Sequence, residues 1–154
     1  MKLFYKVFFI LGILIFLSAV LLTLILTWKM PYNNLYLKNF QESFDVFIYP
    51  MHPKQSNLIS ETPEMGNWAN GNQCQFIAGQ FRISRLTKNI IKELYPKESM
   101  SSGVYFIDED IFNHSPWSEL KEKYLKYSPR EGENIYLVWM SDDDKFSDGD
   151  IRCH

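Results

Sequence analysis

From Val7 to Thr27 the chain reads VFFILGILIFLSAVLLTLILT, with no charge in it. No other feature restricts the fold as tightly. An α-helix needs about 20 apolar residues to cross a hydrocarbon core of roughly 30 Å. The only interruptions are Gly12, Ser18, Thr23 and Thr27, small residues that a helix in lipid tolerates. No other apolar run in the chain exceeds strand length.

The flanks suit a membrane boundary. Lys2 and Lys6 precede the run, Trp28 and Lys29 follow it, and Tyr5 and Tyr32 lie near its edges. Aromatic rings and lysine stems favour the headgroup region, and positive charge before a first span holds that side in the cytoplasm. The expected topology is a single-pass anchor over residues 1–29 in the cytoplasmic (inner) membrane. The N-terminus is inside and the remaining chain outside the cytoplasm. Lys29 alone opposes this orientation. A cleaved signal peptide would have an apolar core of about 7–15 residues closed by a small-x-small site, which Ser18, Ala19 and Val20 do not supply. A prepilin-type leader would carry an acid early in the apolar stretch, and the first acid in the chain is Glu42.

Beyond the anchor, a linker over 30–43 and one domain over 44–154 are expected, a length that suits a single core. Aromatic residues make up 16% of the chain, a content that a disordered stalk would lack. The formal net charge of −2 conceals a gradient: Lys2, Lys6 and Lys29 meet no acid in the first 29 residues, whereas residues 131–154 are strongly acidic. No basic stripe is present to neutralise phosphates, which argues against a nucleic-acid partner. Cys74 and Cys153 are the only cysteines. In an oxidising compartment they are expected to pair, closing a loop whose chain entropy is worth roughly 4–5 kcal/mol. Zinc is not expected, because neither cysteine has a CxxC or HxxxH partner pair.

Residues 44–49 (FDVFIY) are β-branched and aromatic and predict a strand stopped by Pro50, after a short helix or linker over 35–43. Prolines and glycines crowd 51–72, which predicts a long loop. A strand is expected over 74–83 and a helix over 84–94, with Leu86, Ile90, Ile91 and Leu94 on one face. A short strand at 104–107 follows. Ser115 and Pro116 then read as the cap and first position of a helix to about 127. Residues 135–140 (IYLVWM) predict a central strand buried on both faces. A turn over 142–149 and a short strand over 151–153 complete the chain. The expected fold class is α+β: a mixed sheet of about five strands with two packed helices, preceded by one transmembrane helix. Its two strand–helix–strand units predict parallel neighbours joined by right-handed crossovers.

The chain contains no HExxH, GxSxG, phosphate-loop or GxGxxG pattern. Ser118 and Lys121 form a lone SxxK without its companion motifs. His52, His114 and His154 are scattered. His114 beside Ser115 does not make a hydrolytic pair, since adjacent residues rarely hold nucleophile and base in geometry. The glycosylation sequon Asn113-His114-Ser115 is disfavoured by Pro116 directly after it. The strongest site candidate is acidic. Asp108, Glu109 and Asp110 follow one expected strand, and Asp142, Asp143 and Asp144 follow another. On parallel neighbouring strands both runs would leave the same edge, where such sheets bind ligands. A hard cation or a basic partner would fit there. Residues 142–150 depart from the calcium-loop pattern, with Phe146 standing where an oxygen ligand belongs. No catalytic residue, metal ligand or cofactor is assigned. These features point to a membrane-anchored protein-binding, accessory or inhibitor/immunity-type module, its protein partner basic. The alternative is a cell-envelope hydrolase using carboxylates or histidine.

Overall fold

The computed structural model describes residues 2–68, 74–95, 101–146 and 150–153. The apolar run forms helix α1, Lys2–Thr27, exposed along residues 4–25 and long and apolar enough to cross a membrane. Its serine and threonine hydroxyls are satisfied internally. Ser18, Thr23 and Thr27 donate to the carbonyls of Leu14, Ala19 and Thr23 at 2.8, 2.9 and 2.8 Å. Lipid offers no water to do this, so internal pairing is what makes polar groups tolerable there. Lys29 Nζ stands 4.3 Å from the Trp28 ring centroid, a cation–π contact.

Lys29 keeps helical dihedrals (φ −83°, ψ −19°), and helix α2 runs from Met30 to Ile48 with Pro31 in its first turn. Proline costs little there, because a first-turn N–H has no partner within the helix. The 30–43 linker and the 44–49 strand are thus corrected to one helix. Asn33, Gln41, Phe44 and Ile48 are its buried positions, with Tyr36, Leu37 and Phe40 packed beside them. Burial of that helical stripe overrides the local β-propensity of FDVFIY.

Five strands follow: β1 (Ser56–Glu61), β2 (Glu64–Gly66), β3 (Cys74–Ser84), β4 (Ser102–Phe106) and β5 (Asn134–Phe146). β1 and β2 occupy part of the expected loop and lie end to end along one edge of β3. β5 lies along the other edge, and β4 beyond it. The class is α+β, but every ladder is antiparallel rather than mixed. β3 and β4 run the same way with β5 slotted between them, while β4 and β5 are neighbours of opposite sense. Chain order alone cannot distinguish a direct parallel neighbour from a pair with a later strand inserted. Helices α3 (Lys88–Leu94) and α4 (Trp117–Tyr124) are shorter than expected. No side-chain hydrogen bond caps α4; the Ser115 hydroxyl donates to Glu119 at 2.5 Å. The final strand is instead a 3-10 turn, Ile151–Cys153. The turn expected over 142–149 begins inside β5, and 147–149 lie outside the described residues.

Side chains alternate across β5, so both faces of the sheet are covered. Tyr136 and Val138, with Ala78, Val104 and Phe106, meet Phe44 and Ile48 of α2 and Ile91 of α3. Ile135, Leu137 and Trp139, with Ile77 and Phe81, meet Phe112, Trp117 and Leu120 from the 3-10 turn Asp110–Asn113 and α4. Residues 135–139 are therefore buried on both sides as expected, but in an antiparallel sheet. Gly79 is required where β3 passes between Thr62 and β5. A Cβ there would stand 2.7 Å from Thr62 Oγ1 and 2.8 Å from the Val138 carbonyl. The Gln41 amide docks on the same residue: the Gly79 N–H donates to Oε1 at 3.2 Å, and Nε2 donates to the Gly79 carbonyl at 3.4 Å.

Candidate functional site

Cys74 and Cys153 are bonded, with S–S 2.05 Å and Cα–Cα 5.1 Å. The antiparallel sheet achieves this directly. Cys74 pairs with Phe146, so β5 delivers the chain to the start of β3, and the following 3-10 turn returns Cys153. The expected pairing of the two cysteines is thus present, in an antiparallel rather than a mixed sheet. Asp150 is fully buried beside the bridge. Arg152 Nε donates to Asp150 Oδ1 at 2.8 Å, its Nη2 donates to Oδ2, and Asn33 Nδ2 donates to Oδ2 at 3.0 Å. Arg152 also donates to Asn34 Oδ1 at 2.7 Å. The Arg152 guanidinium, helped by Asn33, holds the Asp150 carboxyl down to about 2. Because α2 begins so soon after α1, this lock sits at the α1 end of the domain. Its only trace in the sequence is an Asp-x-Arg spacing beside a cysteine.

The two acidic runs do not meet. β4 ends with Phe106 opposite Tyr136, whereas Asp142 pairs with Phe76. Six residues of β5 separate the two points, about 20 Å at strand rise. The shared edge fails because β4 and β5 are antiparallel. At the far end each acid is taken up locally. Asp108 is paired with Lys88, which holds its carboxyl below the usual range. Glu109 pairs with Lys92 at 2.9 Å and accepts the Phe106 N–H at 3.0 Å. Asp110 accepts from Asn113 at 2.7 Å and lies 3.6 Å from His114 Nε2. At the near end Asp142 accepts the Tyr36 hydroxyl, and the backbones of Asp143 and Asp144 continue β5. Among the described residues no group of three or more His, Cys, Asp or Glu stands close enough to hold a metal ion.

A cleft that gathers several charged and polar side chains lies elsewhere, at the C-terminal end of α2. A cleft of about 600 Å³ is lined by Asp45, Tyr49, His52, Lys54, Ser56, Glu61, Gln80 and Arg82, among others. Arg82 is buried in its floor. Its Nη1 donates to Gln80 Oε1 at 2.7 Å, and its Nε and Nη2 donate to Ser56 Oγ at 3.2 and 3.1 Å. Gln80 Nε2 donates in turn to Asp45 Oδ1 at 2.8 Å, which also takes Gln41 Nε2 at 2.7 Å. Arg82 and Asp45 therefore balance each other through an amide rather than by direct contact. His52 Nδ1 lies 2.9 Å from the Tyr95 hydroxyl. Burial, then the Arg82 charge, pushes its imidazole down to about 4, so it is neutral near pH 7. Burial, reinforced by Tyr136, raises the Tyr95 hydroxyl. The Ser56 hydroxyl donates to the Pro53 carbonyl at 2.9 Å and accepts from Arg82. An activated nucleophile needs a base at that oxygen, and here it meets a cation. Gln80 and Arg82 were legible in principle, since two polar residues alternate on one face of an otherwise apolar strand.

No protein-family model matches the chain, and no curated protein or solved structure is significantly similar to it.

Proposed function

We propose that this chain is a single-pass membrane protein whose domain lies outside the cytoplasm and acts as a protein-binding or accessory module. The observation that carries this reading is the pairing within the cleft at the C-terminal end of α2. Arg82, Gln80, Asp45, Ser56 and His52 are spent on one another, on Tyr95 and on the backbone, as in a scaffold. Convergent, poised groups, which an enzyme requires, are not what these side chains offer. The bridge from Cys74 to Cys153 supports an oxidising compartment, and α1 supports the anchor. The acid excess of residues 131–154 favours a basic partner, drawn in by long-range attraction that salt would screen.

The test joins topology to capture. A reporter fused after Cys153 should be active only outside the cytoplasm, and the chain should stay in membranes after carbonate washing. Cross-linking in intact cells, solubilisation and mass spectrometry should then recover one dominant foreign protein, in a yield that falls with added salt. A shorter soluble form, or turnover of a substrate abolished by His52→Gln, would overturn the reading.

A further inference from the structure

The outer face of α2 repeats a pattern that the domain does not use. Tyr32, Leu35, Asn39, Glu42, Val46 and Tyr49 recur at alternating spacings of three and four, and all are exposed. This is the spacing of the a and d positions of a two-stranded coiled coil. The residues that pack on the sheet, among them Asn33, Gln41, Phe44 and Ile48, occupy the b, c and f positions. The seam therefore faces away from the sheet, and only Tyr49 at its end also borders the Arg82 cleft. The same spacing continues backward through Trp28, Ile25 and Leu21 into α1, across Lys29, which keeps helical dihedrals.

We propose that two copies of the chain pair side by side, in parallel, through this seam on α2. The inference rests on the anchoring part of the reading above. Copies inserted the same way start their α2 helices at the same height and in the same direction, so an in-register pairing needs no search in orientation. Asn39 selects an identical partner. Its amide both donates and accepts, so it can pair with its own counterpart, and a lone Asn at an a position fixes a two-stranded register. Tyr32, Leu35, Val46 and Tyr49 are 56%, 58%, 77% and 77% exposed. At aromatic and aliphatic side-chain areas they offer on the order of 500 Å² per copy, so a pair reaches about 1,000 Å², the lower bound for a specific interface. The apolar surface of α1 adds to this within the bilayer. Glu42 is the one seam residue that opposes pairing. Lys38, one turn earlier on the same helix at 3.7 Å, offsets its charge.

The structure makes a thiol scan clean. Both native cysteines are bonded to each other, so a single introduced cysteine reports alone. Full-length chains carrying Asn39→Cys, Val46→Cys, Asn34→Cys or Phe47→Cys would be oxidised in membranes and run without reductant. Only variants whose native bridge is intact would be scored. The Asn39 and Val46 variants should give a product of twice the chain mass, at least five-fold above the Asn34 and Phe47 variants, which sit off the seam. Equal yields at all four positions, or a product of another mass, would overturn the pairing. As a second arm, Val46→Glu should weaken dimerisation at least ten-fold and Glu42→Leu should strengthen it, with domain folding unchanged because both side chains are exposed. A dimer indifferent to Val46→Glu sinks the seam. Loss of the seam with foreign-protein capture intact rejects only the pairing; a seam that cross-links without any captured protein rejects only the binding reading.

Discussion

The two ends of the domain use the same side-chain chemistry to opposite effect. At the α1 end, Asp150 is fully buried and held by three hydrogen bonds from two side chains, beside the disulfide. At the far end, Lys88–Asp108 and Lys92–Glu109 are exposed or half-buried pairs, each of two flexible side chains. A charge withdrawn from water must be matched geometrically or it destabilises the fold, whereas a charge left in water can lose its partner at little cost. Losing a partner should therefore cost more at the near end than at the far end.

The comparison breaks first if the near end can be cut without consequence. Replacing both Cys74 and Cys153 with serine should cost about 4 kcal/mol, read as a lowered denaturation midpoint of the detergent-solubilised chain by tryptophan fluorescence. An unchanged midpoint would mean that the bridge constrains nothing. Next in size, Asp150→Ala should cost about 2–3 kcal/mol, because it strands Arg152 and the buried Asn33 amide. Asp150→Asn should cost less, since it keeps an acceptor for Asn33.

A pH titration sharpens the contrast. His52, near the far end, has its folded value lowered from 6.5 to about 4. The unfolded chain thus binds the extra proton between those limits, and stability rises with pH there. The contribution is complete above about pH 6.5 and lost as pH falls toward 4. Solvent screening at this half-buried ring reduces it to about 1–2 kcal/mol. His52→Gln should flatten that slope. Asp150, lowered from 3.8 to about 2, contributes stability that is complete above pH 3.8 and is lost only as pH falls through 2. The two groups should therefore act in separate windows. Stability plotted against pH should slope between about 4 and 6.5 in a way that His52→Gln removes, and between about 2 and 3.8 in a way that Asp150→Asn removes. One variant removing both slopes would contradict this. The smallest effect belongs to the exposed pairs: Lys88→Ala or Lys92→Ala should cost at most about 0.5 kcal/mol, less in high salt.

What the sequence revealed was set by how each element is stabilised. α1 and the IYLVWM strand are homogeneous in hydrophobicity and could be read without a partner. α2 could not, because FDVFIY carries strand-forming residues and only the sheet beneath reveals that Phe44 and Ile48 share a stripe with Asn33 and Gln41. β1 is a polar edge strand, SNLISE, with little apolar alternation to betray it. The insertion of β5 between β3 and β4 is a pairing decision among whole strands, which local pattern does not encode. The acidic residues were mis-sorted for the same reason. Asp108, Glu109 and Asp110 looked like a site and are local turn and surface partners, while Asp150, in the same acidic tail as Asp142, Asp143 and Asp144, is fully buried.

The strand order also sets a timetable for synthesis. β3 is the middle of the sheet, yet the strand that covers its long inner edge is β5, which begins at Asn134. While the ribosome makes the intervening residues, β3 stays an apolar ribbon with one side open. At roughly 5–20 residues per second that interval lasts several seconds. During it the nascent chain presents CQFIAGQFRI to whatever stands beside it. Quality control of this protein is thus a matter of guarding one strand until its late partner arrives, and a pause in translation just before Asn134 would lengthen the hazard more than a pause anywhere upstream of Cys74.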